Sequence, residues 1–329
     1  MARAYSEFEL IRRYFTRPTP HTDLSAGDDA ALLRVSAGMQ LAVSTDTLAE
    51  GTHFFCDAAP RDLGWKTLAV NLSDLAAMGA VPRWATLALT LPGADAVWVE
   101  LFAEGFFECA GRYGVDVVGG DTTQGPRSMT VTVFGEVPEG EAITRAGGLP
   151  GDDLWISGTP GLAALGLNVL QGNIHLADAG HALAALHRPV PRVELGLALR
   201  GQAHAMLDVS DGLAGDLGHL CRSSNVGAVI EVKALPLGSM IDSGADEALA
   251  RCLLLSGGDD YELLFAASPE VREELAAIGE TLRLTLSRIG RLTESVGEIL
   301  LAEAAGNVLR PLDVRGYEHF TEPASILNE

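Results

Sequence analysis

Strand-like and helix-like patterns alternate along this chain in two consecutive series. In the first, Trp65, Leu68 and Leu72 recur at spacings of three and four, which predicts a helix over 62–78 that Gly79 ends. The other predicted elements of this series are strands over 84–91 and 129–137, a helix over 95–113 and a strand ending at 119–121. The second series comprises predicted strands at 154–157 and 205–209, helices up to about residue 199, a helix from Leu213, and strands near Val229, Leu263 and Leu286. Such alternation favours an α/β fold of mixed type.

A turn-rich segment separates the two series. Residues 145–153 read Arg-Ala-Gly-Gly-Leu-Pro-Gly-Asp-Asp, a composition that is typical of a connection. A chain of 329 residues is also longer than one typical hydrophobic core. We therefore expect two domains, over 1–140 and 150–329.

The first 50 residues carry one helix signal and two short strand signals. Ser6, followed by Glu9, has the pattern of a capping box and predicts an amphipathic helix. The apolar runs 30–35 and 41–45 predict short buried strands. Each of these runs borders an aspartate.

Aspartate recurs beside Gly, Ser or Thr at predicted strand ends and turns. The segments are 27–29, 44–47, 72–74, 119–123, 208–212 and 257–261. Any one of them is most simply a turn or a helix cap. Six together indicate a site for a divalent cation, because carboxylate and hydroxyl oxygens are the ligands that Mg²⁺ and Ca²⁺ prefer. An EF-hand is excluded, because 208–212 places its glycine one position early and no glutamate follows at the twelfth position.

Common nucleotide-binding motifs do not fit the sequence. The stretch 64–67 lacks the glycine that precedes the lysine of a P-loop, and neither H-R-D nor D-F-G occurs. The stretch 158–161 lacks the dinucleotide fingerprint. A phosphate site dominated by metal ions remains.

The negative charge of the chain argues against several classes of binding partner. A net charge of −21 disfavours binding to nucleic acid or to anionic lipid. The only lysines are Lys66 and Lys233, so a polyanionic ligand must be held by arginines, backbone amides or carboxylate-bound metal. The N-terminus shows no signal segment, and no apolar run approaches the roughly 20 residues of a membrane span. We expect a cytoplasmic protein.

At these residues the sequence resembles the thiamine-monophosphate kinases, a family of the aminoimidazole ribonucleotide synthetase superfamily. The motifs that carry the resemblance are GDDAALL (27–33), STDTLAEGTHF (44–54), LAVNLSDLAAMGAVP (68–82), GGDTTQGP (119–126), DVSDGLAGDL (208–217), SGGDDYELLF (256–265) and GYEHF (316–320). The resemblance implies a two-domain fold whose N-terminal domains pair in a homodimer. It also implies transfer of the γ-phosphoryl group of ATP to thiamine monophosphate, which yields thiamine diphosphate.

The resemblance further implies a set of site residues. The predicted ligands of several Mg²⁺ ions are Asp29, Ser44, Thr45, Asp46, Asp74, Asp121, Asp208 and Asp211. The predicted contacts of ATP are Gly120, Asp121, Arg145 and Ser210, and those of the thiamine substrate are His53, Asp259 and Tyr317. No residue is expected to act as a general acid or base, and Asp46, Asp121 and Asp211 are expected to matter most. Asp259 departs from the family, whose motif commonly has glutamate there.

Two other interpretations stay open at this point. The chain is alternatively another ATP-dependent enzyme of the same superfamily, such as a selenophosphate synthetase, an aminoimidazole ribonucleotide synthetase or a hydrogenase-maturation protein. The first typically needs a reactive cysteine in an N-terminal loop, and Cys56 is the first cysteine here. A non-catalytic, acidic metal- or nucleotide-binding protein is the second alternative.

Overall fold

The computed structural model describes residues 7–303 and 309–312. The strands are β1 (Met39–Ala49), β2 (Val81–Leu91), β3 (Asp116–Gln124), β4 (Ser128–Pro138), β5 (Asp153–Ser157), β6 (Ala203–Val209), β7 (Gly227–Glu231), β8 (Glu262–Ala267), β9 (Leu286–Thr293), β10 (Ile299–Ala302) and β11 (Leu309–Pro311). The helices are α1 (Glu7–Leu10), α2 (Pro60–Ala77), α3 (Ala96–Tyr113), α4 (Leu162–Leu170), α5 (Gly180–His187), α6 (Val193–Ala198), α7 (Leu213–Ser224), α8 (Gly238–Asp242), α9 (Glu247–Ser256) and α10 (Arg272–Leu282). A π-helical turn (Ile11–Phe15) and two 3₁₀ turns (Val232–Ala234 and Pro269–Val271) complete the described elements. None of the described helices has the length and apolar character needed to cross a membrane.

The N-terminal domain is a four-stranded sheet covered by two long helices. Its strand order is β1-β4-β2-β3, with antiparallel pairs except for the parallel β2–β3 pair. Helices α2 and α3 pack on one face, where Leu68 and Phe102 are fully buried. On β1, Leu41 and Val43 are exposed, so this edge strand keeps apolar side chains outside the core.

The C-terminal domain is built on a seven-stranded sheet in the order β11-β10-β7-β9-β5-β8-β6. Only the β10–β7 pair is parallel among its described pairs. Leu207, Leu217 and Leu254, from β6, α7 and α9, share one buried cluster. Mixed pairing with helices in both domains confirms the predicted mixed α/β class.

Helix α2 also forms part of the contact between the two domains. Ala76 lies in a buried cluster with Leu195 and Leu199 of the α6 region. Gly196 packs so closely that an added Cβ would lie 2.0 Å from the carbonyl oxygen of Ala76, so only glycine permits this approach. At the other end of α2, Trp65 Nε1 donates to the carbonyl of Pro189 at 2.8 Å. The helix is therefore packed from both sides.

Most predicted elements form, and those near the N-terminus differ. The prediction of a strand at 30–35 is wrong, because this stretch has only an isolated bridge between Leu24 and Leu32. The run 41–45 is part of the much longer β1, so Asp46 lies within a strand and not at its end. The N-terminal helix turns π-helical after Leu10, and Ser6 of the predicted capping box lies outside the described residues.

Candidate active site

A cavity of about 1280 Å³ lies between the two domains. Eight of the predicted site residues line it, namely His53, Asp46, Asp74, Arg145, Asp208, Ser210, Asp211 and Asp259. They come from β1 and the turn after it, α2, the loop after β4, the β6–α7 junction and the loop before β8. The structure thus brings together acidic side chains that are as far apart in sequence as Asp46 and Asp259.

Strand β1 and helix α2 fix the first acidic pair. The Ser44 hydroxyl donates to Asp74 Oδ2 at 2.5 Å, and the backbone N–H of Asp46 donates to Asn71 Oδ1 at 2.9 Å. Asn71 is oriented in turn by its own bond to the carbonyl of Thr67 at 3.0 Å. Asn71 therefore positions Asp46 and its strand.

Side chains alternate along β1, and this separates neighbouring predicted ligands. Ser44 faces α2, whereas Thr45 Oγ1 lies 2.8 Å from Thr132 Oγ1 on the exposed side. The structure does not bring the Thr45 hydroxyl to Asp74.

The β6–α7 junction carries the second acidic group. Asp208 is buried near the end of β6, and Asp211 follows in the turn before α7. Asp216, on the first turn of α7, accepts the backbone N–H groups of Ser210 and Asp211, both at 3.1 Å. Asp216 is itself buried, so it holds this turn from within the fold.

Burial raises the pKa of three of these carboxyl groups, and neighbouring carboxylates add to the rise for Asp46 and Asp208. Burial, together with the charges of Asp74 and Asp211, raises the pKa of Asp46 to about 6. Burial and the charge of Asp74 raise the pKa of Asp208 to about 8. Burial likewise raises the pKa of Asp74, although its bond from Ser44 and the charge of Arg145 oppose this. Negative charge is concentrated here without enough positive charge to balance it.

The carboxylate oxygens in the cavity are the kind of ligand that Mg²⁺ prefers, although they do not form a complete coordination shell by themselves. Within residues 7–303 and 309–312, no three Asp, Glu, His or Cys side chains converge to form a metal site by themselves. Mg²⁺ is usually held by one or two carboxylates, with waters and substrate phosphates as the other ligands. Asp46, Asp74, Asp208 and Asp211 can serve in that way, since each lines the cavity.

His53 follows a tight turn after β1. The backbone N–H of Ala49 donates to His53 Nδ1 at 3.0 Å, so the proton of the neutral ring lies on Nε2. The ring thereby has a defined tautomer where it lines the cavity. Tyr317, the other predicted aromatic contact of the substrate, lies outside the described residues.

Three of the remaining predicted residues line a second cavity, of about 360 Å³. Asp29, Gly120 and Asp121 line it with Phe15. An added Cβ at Gly120 would lie 1.8 Å from the carbonyl oxygen of Leu87 on β2, and its φ of +146° also favours glycine. Asp121 lies on the edge strand β3, across the sheet from Asp46 on the edge strand β1. Three strand spacings separate these edges, about 14 Å, so one ion cannot bind both carboxylates within one chain.

Comparison with known proteins agrees with this architecture. Residues 27–137 match the family described as AIR synthase related protein, N-terminal domain, and residues 150–302 match its C-terminal domain. A thiamine-monophosphate kinase from Escherichia coli K12 is 44% identical over 326 residues, which cover 97% of this chain and 100% of that protein. The chain belongs to the thiamine-monophosphate kinase family. The resemblance predicted from the motifs is confirmed.

Solved structures of this family share the fold. The thiamine-monophosphate kinase from Stenotrophomonas maltophilia K279a is 46% identical with a TM-score of 0.81, covering 89% of this chain and 94% of that one. AaThiL, complexed with AMPPCP and TMP, is 28% identical with a TM-score of 0.76, covering 95% and 96%. The hydrogenase-maturation protein HypE in complex with ATP has a TM-score of 0.77 at 21% identity, so its likeness concerns the fold alone.

The sequence motifs did not predict two residues that bind Asp259, one of which lines the main cavity. Tyr261 lines the cavity and donates its hydroxyl to Asp259 Oδ1 at 3.0 Å. Lys66 Nζ lies 2.8 Å from Asp259 Oδ2. The available signal was the rarity of lysine, because Lys66 is one of two in the chain and lies in an apolar helix.

Proposed function

We propose that this chain phosphorylates thiamine monophosphate to thiamine diphosphate, by in-line transfer of the γ-phosphoryl group of ATP. The observation that carries the proposal is the convergence of Asp46, Asp74, Asp208 and Asp211, from both domains, on one cavity in a member of the thiamine-monophosphate kinase family. The related AaThiL was crystallised with AMPPCP and TMP, which supports the same pair of substrates.

The proposed phosphoryl transfer requires no acid or base catalysis by protein side chains. A phosphate monoester has a second pKa near 6, so at pH 7 the acceptor oxygen is largely ionised and needs no general base. The obstacle is the repulsion between this acceptor and the phosphates of ATP. The side chains must therefore hold, align and neutralise two anions.

The aspartates would meet that demand by holding Mg²⁺. When bound, Mg²⁺ supplies positive charge to the phosphate oxygens and a template for their alignment. Asp46, Asp74, Asp208 and Asp211 would hold ions in the main cavity, with Ser44 orienting Asp74. Asp29 and Asp121 would hold a separate ion beside Gly120. Thr45 is also a proposed ligand, although its hydroxyl is not directed at Asp74.

The remaining proposed contacts concern the two substrates. Arg145 and Ser210 would bind the ATP phosphates, because both line the main cavity beside the acidic group. His53 and Asp259 would contact the thiamine substrate, as would Tyr317. We also propose a homodimer, domains over 1–140 and 150–329, and a cytoplasmic location. The exposed apolar side chains of Leu41 and Val43 on an edge strand support the dimer.

A direct assay tests the function. Purified protein is incubated with ATP, MgCl₂ and thiamine monophosphate, and ADP and thiamine diphosphate are quantified by chromatography. We expect equal amounts of both products and none without Mg²⁺. Parallel reactions with aminoimidazole precursors or with selenide test the other superfamily reactions. ATP binding without turnover on any acceptor would instead favour the non-catalytic interpretation.

Variants at the two cavities test the metal assignment. We expect Asp46→Ala and Asp121→Ala each to abolish turnover while the circular dichroism spectrum stays that of the parent. Asp242→Ala, at an exposed aspartate that lines neither cavity, serves as the matched control. Near-normal turnover of both aspartate variants at saturating Mg²⁺ would contradict the assignment.

A further inference from the structure

Lys66 and Asp259 form an ion pair between the two domains, in which the lysine is the buried partner. Lys66 lies on α2, Asp259 lies on the loop before β8, and Nζ and Oδ2 are 2.8 Å apart. The Lys66 side chain is 6% exposed, whereas that of Asp259 is 30% exposed and lines the main cavity. We propose that Lys66 is a positioning residue for the acceptor, which it serves by fixing the carboxylate of Asp259. This inference rests on the proposed function.

Both carboxylate oxygens of Asp259 receive a bond from the protein. Lys66 Nζ binds Oδ2, and the Tyr261 hydroxyl donates to Oδ1 at 3.0 Å. These two partners fix the orientation of the carboxylate group. Each oxygen retains a second lone pair, so a ligand in the cavity can still be bound.

The backbone around Asp259 is equally constrained. Asp259 has φ +67° and Tyr261 has φ +52°, values that side chains other than glycine seldom adopt. Their backbone N–H groups donate to the carbonyls of Ser210 at 2.9 Å and of Val209 at 2.8 Å. Non-glycine residues persist in such conformations where the surroundings determine them, and this occurs most often at ligand sites. The loop thus ties Asp259 to the β6–α7 junction, next to Asp208 and Asp211.

A domain contact alone does not account for this lysine. Burying an ammonium group costs free energy that the ion pair offsets only in part, and apolar residues would join two domains as well. Other residues already join them, including the bond from Trp65 to Pro189 and the pair of Arg188 with Glu108 at 2.6 Å. Lys66 additionally fixes the Asp259 carboxylate and supplies a compensating positive charge at the edge of the acidic cavity.

The test measures KM for thiamine monophosphate, KM for ATP and kcat, in wild type and in Lys66→Met. We expect KM for thiamine monophosphate to rise roughly 10- to 100-fold, the range for losing a hydrogen bond to a charged group, with KM for ATP within about twofold. Lys66→Arg should restore most of the loss. In an Asp259→Asn background, Lys66→Met should add no further increase, because it acts through that carboxylate.

Two matched controls separate positioning from stability. Lys233→Met makes the same change at the exposed lysine and should leave all constants unchanged. Arg188→Met removes another ion pair between the same domains, so it should lower the urea midpoint without raising KM for thiamine monophosphate. If Lys66→Met does not fold, Lys66→Gln takes its place in the same measurements.

Calorimetric titration of each variant with thiamine monophosphate, without ATP, separates this inference from the proposed function. Wild type that binds this ligand but does not phosphorylate it would refute the proposed function, and the inference would then be decided by the change in Kd. An unchanged KM and Kd in Lys66→Met would overturn the inference alone. So would an equal effect of Arg188→Met, or a full effect of Lys66→Met in the Asp259→Asn background. Wild type without measurable binding would overturn both.

Discussion

Replacing Asp208 with asparagine should stabilise the Mg²⁺-free protein while it removes activity. Asp208 is 6% exposed, and burial with the charge of Asp74 raises the pKa of its carboxyl to about 8, from an ordinary value of 3.8. The fold therefore holds this group where an ionised carboxylate is unfavourable. Asparagine has nearly the same shape and no charge, so it removes that cost.

The size of the effect follows from the pKa. About 3.2 pH units separate the ordinary value from pH 7, and each is worth about 1.4 kcal/mol, so the cost at pH 7 is at most about 4 kcal/mol. The asparagine amide must find new hydrogen bonds, so we expect the free energy of unfolding to rise by about 2–4 kcal/mol. Because the folded-state pKa is raised, this cost is small near pH 4 and grows as the pH rises to about 8.

The assay is urea unfolding in EDTA, monitored by circular dichroism at pH 5, 7 and 8.5. Asp153→Asn is the matched control, because Asp153 is also an aspartate of low exposure, at 2%, but binds Arg272 through two contacts at 2.6 and 2.8 Å. Its replacement leaves a cation without its partner and should destabilise the protein by about 1–3 kcal/mol. Turnover with Mg²⁺ should fall roughly 100-fold or more in Asp208→Asn. If Asp208→Asn destabilises the protein in EDTA as Asp153→Asn does, an ionised carboxylate is not unfavourable at this position and the reasoning fails.

Two further predictions follow from the same geometry. In EDTA, the urea midpoint of the wild type should fall between pH 5 and 8.5, because the raised pKa values of Asp46 and Asp208, about 6 and about 8, favour the protonated folded state. Added Mg²⁺ should restore the midpoint at pH 8.5 and change it little at pH 5; equal protection at both would contradict the linkage. Gly120→Ala should destabilise the N-terminal domain by about 1–3 kcal/mol, because its Cβ would lie 1.8 Å from the Leu87 carbonyl oxygen. Gly119→Ala, whose Cβ meets nothing within 4 Å, should have little effect on unfolding, and similar losses in both variants would disprove the steric argument.

The sequence predicted those parts of the fold that have a strong hydrophobic period. Helix α3 forms within one residue of its predicted start, since Phe102 and Phe106 recur at a helical spacing and face the core. Helix α2 forms within two residues of its predicted start, although it is buried on nearly every side. Strand β1 was predicted too short, because its outer face carries Leu41 and Val43 beside Thr45 and Thr47. Apolar residues on both faces remove the alternation from which a strand's length is judged.

For the candidate site, the sequence predicted which residues matter better than where they meet. The aspartate motifs supplied Asp46, Asp74, Asp208 and Asp211, which line one cavity. The separation of Asp46 from Asp121 depends on the strand order β1-β4-β2-β3, and a local pattern does not contain strand order. The pairing of Lys66 with Asp259 depends on how the domains meet, across 193 positions of the chain. Asp216 has an ordinary helical position in sequence, and only the fold shows that it binds the amides of the preceding turn.

The fold resolves an apparent contradiction in the composition. A chain with net charge −21 and two lysines is a poor receptor for two phosphate compounds, since its surface repels them. One of those lysines is bound to Asp259, so it does not supply an uncompensated charge. The pKa values of the Asp46 and Asp208 carboxyl groups in the cavity are raised. Positive charge bound there therefore stabilises the folded protein. A divalent cation supplies that charge more effectively than protons do at pH 7, and it leaves coordination positions for phosphate oxygens. The acidity of the site is therefore what enables it to bind anions, provided that the cations bind with them.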